Sequence, residues 1–346
     1  MKKIVFTGGG TGGHIYPNLA LMELLKDKYK LAYIGSKDSM EEKIVSKNYD
    51  FKSITTVKLR RSLSLKNLLI PFKLIKGISE AKKLLKKEKP DLVFSKGGYV
   101  SVPVIIAAHK LNIPCITHES DLSLGLANKI NSKSCGYVCT SFDITAKNCK
   151  NGVFTGSPIR KSILNIQNLQ SNYKNNNKPN LLIVGGSLGS TTINNVITQN
   201  LDELLKIFNI YHIVGKGNLR SIKKDNYHEL EYSSEIDKLY SNADLIITRG
   251  GSNALFEIIA IKKPMLIIPL SKKASRGDQI LNAEYFYNKK IANMLLEEKI
   301  NNKTLIDKIL ETLNNKEIYI NNMKKFNACG NDKIIKLIEK TIKENK

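Results

Sequence analysis

The chain of 346 residues lacks the cysteine pattern of a zinc site or of a disulfide-stabilised secreted protein. It has five cysteines, an odd number, and no two of them form a C-x-x-C pair. Cys135 and Cys139 lie four residues apart, but no second ligand pair follows at a suitable spacing. The cysteines are therefore expected to be buried thiols in a protein of a reducing compartment.

Long apolar runs are also missing. No stretch approaches the roughly 18–20 apolar residues that a membrane-spanning helix needs, and the apolar run Ile4-Val5-Phe6 near the start ends in glycines. It is too short for the apolar segment of a signal peptide. We expect a cytosolic protein that can still lie on a membrane surface.

Acidic residues are few. The sequence has 31 Asp and Glu against 55 Lys and Arg, a net charge of +24. Such an excess predicts an anionic partner, which at this point can be nucleic acid, an acidic membrane surface or a phosphorylated metabolite. A compositional bias towards Lys, Ile and Asn along the whole chain would give the same excess without a specific meaning.

The order of apolar segments is typical of an α/β protein with parallel sheets. Short β-rich runs alternate with helical segments whose apolar residues recur every 3.6 positions, and the length suits two domains of ~100–200 residues. The predicted strands are 3–7, 31–35, 91–95, 103–108, 113–117, 136–140, 180–184, 210–214, 244–248 and 265–269.

Two of these strands are followed by similar glycine-rich segments. Residues 3–13 are KIVFTGGGTGG, and residues 180–190 are NLLIVGGSLGS. A polar, Asn-rich stretch at 165–180 precedes the second copy and is expected to be a loop. We therefore predict two Rossmann-like domains, 1–160 and 161–330, with a helical tail at 331–346 that packs back on the first.

A strand that ends in glycines before a helix exposes backbone N–H groups to an anion such as phosphate. Gly8, Gly10 and Gly13 match G-x-G-x-x-G, which suggests a nicotinamide dinucleotide, but Asp38 is poorly placed as the ribose-binding acid. Two loops also exceed the need of one dinucleotide. Transfer of a sugar from a nucleotide-sugar fits better, and because no D-x-D pair stands out, we expect neither a metal nor a cofactor.

Several ordered motifs together closely resemble the MurG-type N-acetylglucosaminyltransferases of bacterial peptidoglycan synthesis. The resemblance covers nearly the whole chain. The motifs are GGGTGGHIYPNLAL (8–21), SKGGYVSVP (95–103), HESDLSLGLANK (118–129), GSPIR (156–160), GGSLGS (185–190), RGGSNALFEI (249–258) and DQILNA (278–283).

The resemblance implies a GT-B fold and an inverting transfer of GlcNAc. The donor would be UDP-GlcNAc, and the acceptor the 4-hydroxyl of MurNAc in undecaprenyl-diphospho-MurNAc-pentapeptide (lipid I), with lipid II and UDP as products. The enzyme would lie on the anionic cytoplasmic leaflet of the cell membrane, with other cell-wall synthesis proteins as possible partners.

The resemblance also implies site residues. His14 is the expected general base, with Glu119 as the alternative base and a structural role in the loop as the alternative for His14. Ser187 is expected to donate to the diphosphate, Glu257 to accept the ribose hydroxyls, and Gln279 to hold GlcNAc. The other expected UDP-GlcNAc contacts are Thr11, Gly12, Gly13, Asn128, Arg160, Gly186, Leu188, Ser233, Ser252, Asn253, Ala254, Leu255 and Phe256.

Asp121 departs from the family pattern. The family often has Asn at this position of the HESD segment, and an amide can donate and accept, whereas an ionised carboxylate only accepts. The sequence therefore assigns no role to Asp121, and its contact with the donor sugar stays open.

Residues 58–89 combine basic and apolar side chains. They include eleven Lys or Arg and two Glu, a local net charge of +9. This combination is typical of adhesion to an anionic leaflet, because apolar side chains enter the membrane interface while Lys and Arg reach the lipid head groups. An ordinary amphipathic helix with a solvated basic face is the alternative. Binding of nucleic acid is not favoured, because no recognisable nucleic-acid module or aromatic platform accompanies the segment. The expected membrane contacts are Leu69, Ile70, Phe72, Lys73 and Lys76.

Three other functions remain open at this stage. Another UDP-sugar enzyme that acts on a membrane lipid, such as a glycolipid synthase, would share the two loops, and so would a UDP-GlcNAc epimerase. A basic nucleotide-binding scaffold without chemistry would share the charge.

Overall fold

The computed structural model describes residues 1–58, 70–166, 177–186, 189–272 and 274–345. The chain divides into two compact units. Unit 1 consists of Met1–Arg160 and Cys329–Lys346, and unit 2 of Lys161–Ala328.

Unit 1 contains a parallel sheet of seven strands among the described residues, in the order β3-β2-β1-β4-β5-β6-β7. The strands are β1 Lys3–Thr7, β2 Lys30–Ser36, β3 Asp50–Ile54, β4 Leu92–Ser95, β5 Cys115–Glu119, β6 Tyr137–Thr140 and β7 Gly152–Phe154. The helices that connect them are α1 Gly12–Leu25, α2 Met40–Val45, α3 Ile70–Glu88, α4 Ser101–His109, α5 Leu126–Asn131 and α6 Asp143–Lys147.

Unit 2 repeats this architecture with six parallel strands among its described residues, in the order β10-β9-β8-β11-β12-β13. The strands are β8 Asn180–Val184, β9 Asn209–Ile213, β10 Tyr227–Leu230, β11 Leu245–Thr248, β12 Met265–Ile267 and β13 Asn293–Met294. Its helices are α7 Lys161–Leu164, α8 Thr191–Gln199, α9 Leu201–Ile207, α10 Ile236–Asn242, α11 Ser252–Ala260, α12 Asp278–Asn288, α13 Asn302–Asn314 and α14 Lys316–Lys325. The last helix of the chain, α15 Asn331–Glu344, belongs to unit 1.

Each sheet is buried on both faces, as the continuous apolar runs of its central strands require. In β1, Ile4 and Phe6 point to one face, and Val5 points to the other. The amphipathic helix α15 covers the first of these faces with Ile334, Ile338 and Ile342, while α3 and α4 cover the second. This double cover explains why alternate strand residues are equally apolar.

In each sheet, the first strands are added towards one edge and the later strands towards the other edge. The change occurs between two neighbouring strands. The pair is β1 and β4 in unit 1, and β8 and β11 in unit 2. At such a switch point the loops after the two strands diverge and leave a crevice, where ligands of open α/β sheets bind. Both glycine-rich segments follow a strand of such a pair.

The predicted α/β class is confirmed, but one predicted strand is wrong. Residues 103–108 lie in α4, a helix whose residues are nearly all buried. A continuous apolar run such as Val102–Ala108 occurs both in buried strands and in buried helices, so the sequence pattern does not distinguish the two. Pro103 suits the first turn of a helix, where its missing N–H has no intrahelical acceptor.

Helix α3 leaves a mixed apolar and basic surface exposed. Only a narrow row, Gly77, Ala81 and Leu85, is buried against the unit. Near the beginning of the helix the side chains of Phe72 and Ile75 are 71% and 65% exposed. In the part of the chain that the structure describes, no helix has the length and apolar character to cross a membrane.

Candidate active site

Two glycine turns meet at the carboxyl end of the unit 1 sheet, one after β1 and one after β4. Gly10, Gly97 and Gly98 have φ angles of +86°, +83° and +78°, in the left-handed region where side chains are strained. A Cβ atom on Gly98 would lie 2.5 Å from the carbonyl oxygen of Gly9. The backbones of the two turns are therefore in close contact, and glycine is needed for both shape and space.

A buried carboxylate lies inside the first turn. Glu41, on α2, has no solvent exposure, and it accepts hydrogen bonds from the backbone N–H groups of Gly10 (3.2 Å) and Ser36 (3.3 Å). The N–H of Gly10 is thus already used within the protein. Because Glu41 occupies this group, an anionic ligand at the turn has to use N–H groups closer to the helix.

His14 lies in the first turn of α1, after Thr11, Gly12 and Gly13. Its Nδ1 atom is 3.0 Å from the hydroxyl of Thr11, an exposed residue with extended backbone. Burial and the nearby Lys96 ammonium lower the pKa of His14 to about 4, against a hydrogen bond to the Gly9 backbone that raises it. The imidazole is therefore neutral near pH 7 and can accept a proton.

Glu119, the alternative base, is held by its own loop at the end of β5. It is 6% exposed and accepts from the N–H groups of Asp121 (3.0 Å) and Gly125 (3.0 Å) and from the amide of Asn128 (2.9 Å). Burial and the Asp121 charge raise the pKa of Glu119. These contacts give the carboxylate a structural task, so of the two candidates His14 is the more accessible proton acceptor.

Asn128, an expected ligand residue, is buried and makes internal hydrogen bonds. Its Oδ1 accepts from the Thr117 hydroxyl (2.8 Å), and its Nδ2 donates to the His118 carbonyl (3.0 Å) and to Glu119. This amide ties α5 to β5. Arg160, another expected ligand residue, is the last residue of the first stretch of unit 1.

In unit 2, the glycine segment after β8 opens helix α8. Gly186 and Gly189 have φ angles of +94° and +76°, and the Ser190 hydroxyl caps the helix by accepting from the Ile193 N–H at 3.2 Å. The helix N-terminus therefore lies at the switch point of this sheet, where its dipole favours an anion. Ser187 and Leu188, predicted to contact the diphosphate, lie outside the described residues.

A buried arginine joins the loops around this helix N-terminus. Arg249 follows β11, and its guanidinium donates to the hydroxyl of Ser190, to the carbonyl of Ile268 (3.2 Å) and to Glu297 (2.7 Å). Glu297 also accepts from the Ser271 N–H at 3.0 Å. Four loops at the carboxyl edge of the sheet, those after β8, β11, β12 and β13, are thus fixed by one network of charge-assisted hydrogen bonds.

Helix α11 carries most of the other predicted donor contacts. The side chains of Ser252, Leu255 and Phe256 are buried, and Phe256 packs on Phe286 with ring centroids 5.5 Å apart, so contacts from these residues would have to use backbone groups. Asn253, Ala254 and Glu257 are half-buried.

Gln279 and Ser233 make local contacts with their side-chain oxygens. Oε1 of Gln279 accepts from the N–H groups of Gly250 (3.2 Å) and Leu270 (3.0 Å), which joins the loops after β11 and β12. The Ser233 hydroxyl accepts from the Glu235 N–H at 3.1 Å. The predicted donor residues of unit 2 that the structure describes thus border one sheet edge.

The remaining predictions concern the membrane and metals. Ile70, Phe72, Lys73 and Lys76 lie on the first two turns of α3, and Leu69 lies outside the described residues. Within the described ranges, no three His, Cys, Asp or Glu side chains are grouped so that they could hold a metal ion.

Sequence reasoning missed three buried charged residues, Glu41, Lys96 and Arg249. Two of them share a pattern: Lys96 in SKGG and Arg249 in TRGG both stand between a buried strand and a glycine pair. Each strand is the switch-point neighbour of the strand that leads into the glycine-rich segment. The sequence signal that could have found Lys96 and Arg249 is therefore a charged residue between an apolar strand and two glycines.

Comparison with known proteins places this geometry in a family. Residues 4–140 match the glycosyltransferase family 28 N-terminal domain, and residues 180–338 match the family 28 C-terminal domain. In Clostridium botulinum (strain Alaska E43 / Type E3), a UDP-N-acetylglucosamine--N-acetylmuramyl-(pentapeptide) pyrophosphoryl-undecaprenol N-acetylglucosamine transferase is 52% identical over 99% of both chains. The enzyme of that name in Clostridium tetani (strain Massachusetts / E88) is 47% identical over 98% of both.

The fold agrees with this result. The crystal structure of Acinetobacter baumannii MurG matches with a TM-score of 0.75 and 25% identity, over 98% of this chain and 100% of that one. The resemblance noted from the motifs is confirmed, and the fold is GT-B. The chain belongs to the MurG-type transferases of glycosyltransferase family 28.

Proposed function

We propose that this enzyme transfers GlcNAc from UDP-GlcNAc to the 4-hydroxyl of MurNAc in lipid I, forming lipid II and UDP with inversion at the anomeric carbon. One observation carries the proposal: a relative named for this substrate pair is 52% identical along nearly the entire chain. The two crevices, each bordered by a glycine-rich segment, support it because donor and acceptor both carry a diphosphate.

The proposal assigns the donor to unit 2. The diphosphate lies at the N-terminus of α8, where backbone N–H groups of the first turn and the helix dipole stabilise the charge that UDP gains as it leaves. Ser187 donates to this group, Glu257 accepts the two ribose hydroxyls, and Gln279 holds the sugar. Arg249 keeps the surrounding loops in place, as its hydrogen bonds to Ser190 and Glu297 support.

The acceptor belongs to unit 1 in this proposal, with His14 as general base. The oxygen of the acceptor hydroxyl forms the new bond to C1 of GlcNAc, while the bond from C1 to the β-phosphate oxygen breaks on the opposite face. The proton of the hydroxyl passes to the neutral imidazole, and UDP departs with the electron pair. A lowered pKa keeps His14 in its proton-accepting form.

A transfer assay tests the proposed function. Radiolabelled UDP-GlcNAc is mixed with a short-chain lipid I analogue, and label in the lipid product is measured together with UDP release. Equal amounts of both are expected. Labelled diacylglycerol in a lipid extract would instead indicate a glycolipid synthase. Conversion of UDP-GlcNAc without an acceptor would indicate an epimerase, and binding of UDP-GlcNAc without turnover would indicate a scaffold.

Helix α3 is the proposed membrane contact on the cytoplasmic face. Its exposed Phe72 and Ile75 beside Lys73 and Lys76 combine the apolar and cationic groups that an anionic leaflet attracts. A lysine near such a surface contributes about 1 kcal/mol. Reversible attachment would bring the acceptor crevice to a substrate that stays in the bilayer.

Replacement of Lys73, Lys76, Lys82 and Lys83 with Gln is expected to weaken binding to vesicles that contain anionic lipid about tenfold or more. Turnover of a soluble short-chain acceptor should be unchanged, because the main packing partners of α3 are α4 and β3 and not the glycine turns. Vesicle co-sedimentation and the transfer assay measure the two effects.

The matched control removes the same charge from unit 2. It replaces with Gln the four exposed lysines Lys299, Lys303, Lys324 and Lys325. Equal loss of vesicle binding in the control would mean that total charge, and not α3, determines attachment. Loss of soluble turnover in the α3 variant would assign the lysines a structural role.

A further inference from the structure

The side chain of Lys96 is an unusual feature of the acceptor crevice, because its charged group is inside the protein. The residue follows β4 and is 1% exposed, and its backbone N–H donates to the carbonyl of Thr7, the last residue of β1, at 3.0 Å. Burial of an ammonium costs several kcal/mol unless polar groups compensate. A lysine in this position therefore needs a specific set of partners.

The ammonium has two direct partners, one near the end of β5 and one on the loop that follows this strand. Its Nζ atom is 2.9 Å from Nδ1 of His118 and donates to the hydroxyl of Ser120. Burial lowers the pKa of Lys96 to about 8, although the carboxylates of Glu119 and Asp121 favour its charged form. The group is still mostly charged at pH 7.

Two contacts require the same tautomer of His118. An ammonium only donates hydrogen bonds, so Nδ1 of His118 accepts, and the ring hydrogen is on Nε2. Nε2 is 3.0 Å from the carbonyl oxygen of Gly156 and donates to it. Burial and the Lys96 charge hold the pKa of His118 well below its ordinary value, which keeps the ring neutral.

The chain of hydrogen bonds ends in the last segment of the first stretch of unit 1. Gly156 has a φ angle of +89° and lies four residues before Arg160. At its other end, Lys96 begins the turn whose Gly98 packs against His14: a Cβ atom at Gly98 would be 3.2 Å from Nδ1 of His14. One side chain thus connects the 156–160 segment with the turn that supports His14.

We propose that Lys96 is a positioning residue for the transfer, whose ammonium fixes the His118 ring against Gly156 and thereby aligns the turn 96–98 beneath His14. The inference rests on the proposed role of His14 for its effect on rate. Its structural part, the single tautomer of His118, does not depend on any activity. A misplacement of the base by about 1 Å can lower a rate a hundredfold, so even partial loss of alignment is measurable.

The first test uses the unaltered protein. Long-range ¹⁵N–¹H NMR spectra of histidine-labelled enzyme distinguish the two neutral tautomers and the charged ring. His118 is expected to show only the Nε2–H tautomer from pH 5.5 to 7.5. A charged ring in this range, or hydrogen on Nδ1, would overturn the proposal.

The second test compares variants. Lys96→Met has a similar shape without the donor. It should remove the hydrogen bond to Nδ1 of His118, shift the ¹⁵N resonance of that atom and lower kcat about tenfold, with the KM for UDP-GlcNAc within twofold. Ser120→Ala removes the other partner and should retain the wild-type Nδ1 resonance. A Lys96→Met protein with a normal melting temperature, an unchanged Nδ1 resonance and an unchanged kcat would contradict the proposal.

A double variant separates action through His118 from a general loss of packing. If Lys96 acts through this ring, the double change Lys96→Met/His118→Ala lowers kcat no more than the more severe single change. Additive losses would contradict the positioning role. If wild-type enzyme fails to transfer GlcNAc, the proposed function fails, while the NMR result still decides the arrangement of Lys96 and His118.

Discussion

His14→Ala is expected to lower kcat by about 10²–10⁴-fold, the usual contribution of a general base, while the KM for UDP-GlcNAc stays within about twofold. The imidazole is neutral near pH 7 because burial and Lys96 lower its pKa to about 4, so it is ready to take the proton of the attacking hydroxyl. The uridine diphosphate part of the donor is expected to bind unit 2, so loss of the imidazole should lower the rate more than it weakens donor binding. Initial-rate kinetics with both substrates varied measure the effect.

The pH dependence gives an independent test of the same role. A base has to be unprotonated, so kcat/KM for the acceptor should be constant from neutral pH to about pH 5 and fall as the pH passes through 4. A fall centred near 6.5, the ordinary pKa of histidine, would mean that the ring is not in the described environment.

His109→Ala is the matched control, because His109 is an exposed histidine at the end of α4 in the same unit. It should retain wild-type kinetics. If His14→Ala retains more than about a tenth of wild-type kcat, His14 has the structural role in the loop, and the base has to be sought elsewhere in unit 1.

Glu257→Ala is expected to raise the KM for UDP-GlcNAc by about 10–100-fold with a smaller change in kcat. A carboxylate can accept from two neighbouring hydroxyls, and hydrogen bonds to a charged group contribute about 1.5–3 kcal/mol. The buried neighbours Phe256 and Ile258 fix α11 in the unit 2 core, so that loss of the half-buried Glu257 should not disturb the helix. Initial-rate kinetics and calorimetry with UDP measure the change.

The ribose itself provides the sharper control. Wild-type enzyme should bind UDP more tightly than 2′-deoxy-UDP, and Glu257→Ala should bind both alike, because the partner of the missing hydroxyl is gone. Glu298→Ala, at an exposed residue of the same unit, should preserve the wild-type preference. If the preference for UDP survives in Glu257→Ala, the carboxylate does not contact the ribose.

Strand prediction succeeded in the middle of each sheet and failed at its edges. Among the strands of the described residues, the four without a predicted counterpart are β3, β7, β10 and β13, and all four are edge strands. An edge strand is covered by a neighbour on one side only, so its sequence can be polar: β3 is DFKSI and β10 is YHEL. Composition alone does not distinguish such segments from loops.

The glycine turns of the site were predictable, whereas its charged supports were not. A run of glycines between a strand and a helix is local in sequence, so it can be recognised directly. The partners of the buried charges are distant: Lys96 contacts His118, 22 residues away, and Arg249 contacts Glu297, 48 residues away. Only the folded sheet brings these pairs to one edge.

A residue that matches a ligand motif can therefore still be part of the buried hydrogen-bond network that supports the site. Asn128 matched a motif as a ligand residue, yet its amide is occupied by Thr117, His118 and Glu119. A motif shows which residues occur together, and it does not separate a side chain that binds substrate from one that holds the loop.

The configuration of the product tests the central claim most directly. Enzyme, UDP-GlcNAc and a soluble lipid I analogue are incubated, and the anomeric proton of the new sugar linkage is examined by NMR. Because the donor carries an α-linked sugar and the hydroxyl attacks the face opposite UDP, the account predicts a β-linked GlcNAc on the 4-position of MurNAc, with one UDP released for each linkage. An α linkage, a different acceptor position, or UDP-GlcNAc epimerised without any transfer would contradict it.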